Sequence, residues 1–168
     1  SQLRKEEQAL HALLFTQAQY KNYIPVKSDS LLRIAEAYYR TSNDSLHKAW
    51  TLFYLAQYYR DSDEKEKALS YFQQANIASR NIENNQFKFL LNLHWAGLLT
   101  NEDAYEKGIE KYQTANRYAI LLKDTLKQIN LYGKWGWCCL LKEEDERADS
   151  LFNVGLTLSA TTKDRIYD

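Results

Sequence analysis

Four series of residues recur at a constant step of 40 positions, and that step restricts the fold more than any other feature of the chain. Leu55-Ala56, Trp95-Ala96 and Trp135-Gly136 form the first. Ala68, Gly108 and Ala148 form the second, Phe72, Tyr112 and Phe152 the third, and Ala75, Ala115 and Gly155 the fourth. A fixed period of this size is the mark of a solenoid of stacked supersecondary units. Proline occurs once and glycine five times in 168 residues, which argues for long helices and against a β fold rich in turns.

Polar breaks fall at regular intervals, at 24–30, 41–45, 61–65, 81–86, 100–103, 123–125 and 142–147. They predict about eight helices with apolar residues at three- and four-residue spacings. Short connections make neighbouring helices antiparallel. The expected architecture is all-α, a single domain over 1–168, with hairpins near 3–42, 45–81, 85–123 and 125–162. Each hairpin alone exposes an apolar face that stacking buries. Asp63 with Glu66 reads as an N-cap and its reciprocal partner. The acidic run Glu143 to Glu146 suits a helix N-terminus. Pro25 is expected to end the first helix, because the residue before a proline is pushed out of the helical region.

Within each unit the spacing carries a resemblance. Leu52, Leu55, Ala56 and Tyr59, then Ala68, Phe72 and Ala75, resemble the tetratricopeptide repeat (TPR) pattern. The third hairpin repeats it with Trp95, Ala96, Leu99, Gly108, Tyr112 and Ala115. The fourth does so with Tyr132, Trp135, Gly136, Cys139, Ala148, Phe152 and Gly155. The resemblance implies a right-handed TPR-like solenoid of about four antiparallel helix pairs, with small residues at the close crossings. The repeat departs from the family's length of about 34 residues. The additional residues are expected as longer second helices after Ala75 and Ala115. The first hairpin matches loosely, through Leu14, Ala18, Ser30, Ile34 and Ala37. The stretch from Thr16 to Leu32 is also similar to the start of TPR regions in envelope-associated bacterial proteins. That likeness implies a sensory or assembly part of a larger bacterial envelope protein, periplasmic or lipid-anchored.

No nucleotide-binding, nucleophile-elbow or zinc-protease motif is present. His11, His47 and His94 lack metal-ligand spacing. The chain is expected to be no enzyme, with no cofactor and no metal. Lys plus Arg and Asp plus Glu are each 22, so there is no basic excess of the kind that nucleic-acid binders show. No apolar run is long enough to enter a membrane. Cys138 and Cys139 are adjacent and read as two small core residues.

The remaining expectation is a groove. The TPR resemblance implies that the first helix of each pair lines it, and so places Trp50, Tyr54, Gln57, Arg60, His94, Asn130, Lys134 and Trp137 there, with Phe53, Leu93, Gly97, Gly133 and Leu141 nearby. Trp, Tyr and Arg dominate binding hot spots, so Trp50, Tyr54, Arg60 and Trp137 are the leading candidates for holding a protein or peptide partner. The alternative is that these aromatics fill seams between helices, in a structural or oligomerisation module. The chaperone-tail clamp of some TPRs is not expected, because of its basic positions only Lys134 is retained. Leu151, Phe152, Val154, Leu156 and Leu158 put apolar groups on more than one face of the last helix. That end is expected to continue into further helices or to dock on a second copy as a homodimer.

Overall fold

The computed structural model describes residues 2–164, so the outermost positions of the expected domain, 1 and 165–168, lie outside the described residues. Every described element is a helix: α1 (Gln2–Lys21), α2 (Ser30–Tyr39), α3 (Ser45–Asp61), α4 (Lys65–Ala78), α5 (Asn85–Asn101), α6 (Tyr105–Leu122), α7 (Thr125–Leu141) and α8 (Asp145–Asp164). The all-α expectation holds, and the 40-residue step is visible in the helix starts at 45, 85 and 125 and at 65, 105 and 145. The chain divides into two compact units, 1–83 and 84–168. In the first, α1 pairs with α2 and α3 with α4, and α3 also packs on α1 and α2. In the second, α5 pairs with α6 and α7 with α8, and α7 also packs on α5 and α6.

Local chemistry explains why the elements repeat. The side chains of Asp44, Asn84 and Asp124 accept hydrogen bonds from the backbone N–H of His47, Phe87 and Lys127 at 3.0, 2.8 and 3.0 Å. Each caps a first helix by satisfying a donor that has no partner within the helix. The ends of the first helices are equally regular. Tyr23, Asp63, Asp103 and Glu143 all take left-handed backbone, with φ of 55°, 59°, 55° and 64°. The next residue in each case donates back to Gln19, Tyr59, Leu99 or Cys139 at 2.8–2.9 Å. This is the Schellman turn, which satisfies orphan carbonyls. It normally uses glycine; here non-glycine residues carry the left-handed strain, which explains a regular turn without glycine in the sequence.

Those turns correct two expectations. Asp63 is not an N-cap; it closes α3, and α4 starts with Glu64 in the capping place and no side-chain cap bond. Pro25 does not end α1; the helix has already stopped at Lys21 through the turn at Tyr23. Proline follows such turns because it cannot continue a helix.

The register of the first hairpin is also corrected. The expected Leu14, Ala18, Ser30, Ile34 and Ala37 are all exposed. The buried residues are Thr16, Leu32 and Ala35, one 40-residue step before Ala56, Phe72 and Ala75. Thr16 hides its polarity by donating to the Ala12 carbonyl at 2.9 Å. The repeat therefore reaches α1 and α2, with a polar residue standing where the later units have alanine or glycine. The extra residues are likewise not all helical. α6 runs to Leu122 as expected, but α4 stops at Ala78 and 79–84 form the connection.

The close crossings hold. A Cβ on Gly136 would meet the Phe152 ring at 2.6 Å, and one on Gly108 would meet the Thr100 hydroxyl at 3.1 Å and the Ala96 carbonyl oxygen at 3.4 Å. Ala56 and Ala96 are fully buried. Cys138 and Cys139 are free, buried thiols inside the second unit's core, and burial pushes both thiols above the usual range.

Candidate functional site

The expected groove residues fall in both units and take two different environments. In the first unit, Trp50 and Tyr54 lie on successive turns of α3 and are stacked, with ring centroids 5.7 Å apart and planes at 18°. Tyr20 of α1 stacks on the other side of Tyr54 at 5.4 Å. Tyr54 is 3% exposed, and burial pushes its hydroxyl up to about 12, opposed by a hydrogen bond with Gln17. Gln57 is buried as well, at 4%. Arg60 is half-buried and bonds Asp61 through Nε and Nη2 at 3.0 and 2.7 Å. Tyr54 is therefore packed against α1, with Trp50 stacked on it, and the hot-spot argument from residue type did not register that α1 covers Tyr54.

In the second unit, His94 is half-buried on α5, and Asn130, Lys134 and Trp137 are exposed along one face of α7. Trp137 is 54% exposed. Leu126, Leu140 and Leu141 are exposed on the same helix. The 40-residue step shows what is unusual here. Gln17, Gln57 and Gly97 occupy the place of Trp137, and Leu13, Phe53 and Leu93, all buried, occupy the place of Gly133. On α7 the position buried as Leu13, Phe53 or Leu93 holds a glycine, and a large apolar group stands instead at 137, where it is exposed. A Cβ on Gly133 would meet nothing within 4 Å, and the same is true of Gly97 on α5. Comparison of the repeats could have flagged Trp137 and Gly133 as a pair, because both break the pattern of the other units.

No protein-family model matches this chain, and no curated protein is significantly similar to it. The functional reading rests on the arrangement of its own residues.

One cluster in the first unit was not expected. The Arg33 guanidinium donates from Nε to Asp29 at 2.9 Å and from Nη1 to Glu36 and to the Tyr71 hydroxyl, both at 2.6 Å. Its Nη2 bonds the Tyr59 hydroxyl, which donates to Asp29 at 2.7 Å. Tyr59 and Tyr71 stack at 5.5 Å with planes 5° apart. The hydrogen bond from Tyr59 holds the Asp29 carboxyl below its usual range, helped by Arg33 and opposed by burial. Donors and acceptors are matched, so the cluster is a brace tying the short α2 to α3 and α4. Only the Asp29–Arg33–Glu36 spacing was visible in the sequence. The tyrosines arrive from 26 and 38 positions away. Among the described residues no three His, Cys, Asp or Glu side chains converge as a metal site.

The carboxylates that cap and brace the helices set an acid response. Asp124 is held below the usual range by the Lys127 ammonium and the Lys127 backbone N–H. Burial would raise Asp44, but the His47 backbone N–H and ring outweigh it, and the net shift is down. A carboxylate with a depressed folded pKa stabilises fully above its unfolded value and loses that contribution as pH falls through the folded one. The melting temperature is therefore expected to fall progressively below about pH 4, where unfolded carboxylates take up protons first. A thermal melt series from neutral to acid pH checks this, and Asp124→Asn should flatten part of the slope. A melting temperature constant through that range would contradict it.

Proposed function

We propose that this chain is a non-catalytic protein-interaction scaffold of TPR-like type, binding a peptide or partner helix on the exposed face of α7 in its second unit. The exposure of Trp137 one turn before the end of α7, with an open glycine on the preceding turn, carries this reading. An exposed tryptophan among exposed leucines is an unusual feature on a soluble surface and is the residue type that most often anchors an interface. No described helix is long and apolar enough to cross a membrane. The likeness of Thr16 to Leu32 to envelope-associated TPR regions supports placing the scaffold in a larger bacterial envelope protein, as its sensory or assembly part.

Selecting a random-peptide display library on the full chain tests the reading. Recovered peptides should bind Trp137→Ala at least about tenfold more weakly than the parent, as expected for an interface anchor. Trp137 is exposed, so the variant should keep the parent's melting temperature. Recovery of no binder, or binders indifferent to Trp137→Ala, would reject the proposal.

A second reading has its own support. The packing of Tyr54 against Tyr20 of α1, with Trp50 stacked on Tyr54, supports reading these aromatics as seam residues, as in a structural or oligomerisation module. The outward apolar groups of α8, Val154 and Leu156, favour a homodimer through that helix. Sedimentation of the parent and of Leu156→Asp separates the two: a dimer lost in the variant supports the module, and a monomer in both removes it.

A further inference from the structure

Inside each unit a first helix receives a second helix on a fixed stripe, and α1 carries that stripe uncovered. In the second unit α6 lies on α7, and in the first unit α2 lies on α3. The joint between α6 and α7 shows the register. Lys142 pairs with Glu106 at 3.3 Å, the Cys138 thiol donates to the Tyr105 carbonyl at 3.8 Å, and Gln128 donates to the Ala119 carbonyl at 3.3 Å. The two helices therefore run antiparallel, with Trp135 level with Tyr112 and Leu131 level with Asn116. Leu131, Trp135 and Cys138 are buried in the core that this joint closes. On α3 the same stripe buries Thr51 and Leu55. On α1 it holds His11, Phe15 and Ala18, and all three are exposed. Phe15 is 48% exposed and stacks on His11 at 6.1 Å, with Leu14 exposed beside it.

The last helix carries the other half of such a joint. At the places of Tyr112 and Asn116, α8 holds Phe152 and Leu156, and Leu156 is 68% exposed. At the places of Tyr105, Glu106 and Ile109 it holds Asp145, Glu146 and Asp149, all exposed. Carried one step on, the register lays α1 of a second copy along α8. Phe15 then meets Phe152, and His11 meets Leu156. The small Ala18 comes to Asp149. The acidic start of α8 comes to the exposed Lys21 and Asn22 at the end of α1, as Glu106 comes to Lys142 inside the second unit. Apolar groups meet at the centre and opposite charges at the rim, which is how protein interfaces are organised.

We infer that copies of this chain associate head to tail, the open stripe of α1 in one copy packing antiparallel on α8 of the next. This rests on the oligomerisation reading above and names the surface that α8 meets. A contact between two unlike faces leaves one of each free, so assembly grows with concentration. One helix on one helix is a small contact, and the affinity should be roughly micromolar or weaker. Sedimentation of the full chain up to about 0.5 mM tests it. The parent's average mass should rise with concentration. Phe15→Asp and Leu156→Asp, both at exposed positions, should each weaken association about tenfold or more with helix content unchanged. An equimolar mixture of the two variants should form a pair and stop there, because one keeps an intact α8 and the other an intact α1. If Phe15→Asp associates as the parent does while Leu156→Asp does not, the head-to-tail contact is overturned and a homodimer through α8 survives. A mixture that stays monomeric also overturns it. A parent that is monomeric throughout, or association indifferent to Leu156→Asp, removes both.

Discussion

Replacing Phe72 by alanine is expected to destabilise the protein by about 3–5 kcal/mol, the largest loss from any single side-chain truncation discussed for this chain. Phe72 is fully buried, as are Ala68 and Ala75 one turn to either side on α4. Its ring stands 6.2 Å from that of Phe53 on α3. The small residues around it are what give the ring its space, so they cannot reach into the void that alanine would leave. The two steps of the repeat lead from Phe72 to Phe152, whose ring lies against Gly136. The same aromatic-on-small packing therefore recurs at the far end of the chain. Guanidinium unfolding followed by hydrogen exchange at the amides of α3 and α4 measures the loss, with Arg80→Ala as an exposed control expected to change little. A Phe72→Ala change below about 1 kcal/mol would mean that the site collapses around the cavity, and would remove this ring from the set of core residues.

Gly136→Leu is the second large effect, with a loss of about 3 kcal/mol, at the upper end of the usual overpacking range. Leucine is chosen because its helix propensity is close to that of alanine, so the loss cannot come from the helix itself. Even a Cβ at this position lies 2.6–3.0 Å from three atoms of the Phe152 ring, and the rest of the side chain has further to go. Gly133→Leu, on the same helix and one turn earlier, supplies the contrast. Nothing stands within 4 Å of its Cβ position, so the substitution should raise stability by up to about 1 kcal/mol through propensity alone. The opposite signs at two glycines three residues apart are the test. Phe152→Ala should also recover part of the Gly136→Leu loss, giving a coupling energy of about 1 kcal/mol or more in a double-mutant cycle. Additive effects, or equal signs at the two glycines, would show that the crossing of α7 and α8 is not the tight contact described.

The helices themselves were legible in the sequence because their signals are local and periodic. Asp44, Asn84 and Asp124 cap wherever they precede an apolar periodic run, and the series at 56, 96 and 136 and at 72, 112 and 152 keeps the same spacing in every later hairpin. Reading failed where one chemistry can serve two places. Asp63 is as good an N-cap as it is a tolerable left-handed residue, and only the turn geometry shows that α3 claims it. In the first hairpin the alanines two positions out of phase looked small enough to fit, while the true counterpart, Thr16, was hidden by its hydroxyl. A carbonyl one turn back satisfies that hydroxyl, and the residue can then be buried.

The candidate site divides in the same way. Residue type marked Trp50, Tyr54, Gln57, Arg60, His94, Asn130, Lys134 and Trp137 together, as equivalent outward positions on successive first helices. Which of them meet solvent was not written in their own identities. Tyr54 is covered because Tyr20 stacks on it, whereas Trp137 stands 54% exposed one turn after Gly133, where a Cβ would meet nothing. Element type and period follow from each residue's bond to the chain a few positions away, which the order of residues states outright. Burial and the tyrosines of the Arg33 brace depend on side chains brought from tens of positions away, and the packing of one helix on the next settles them.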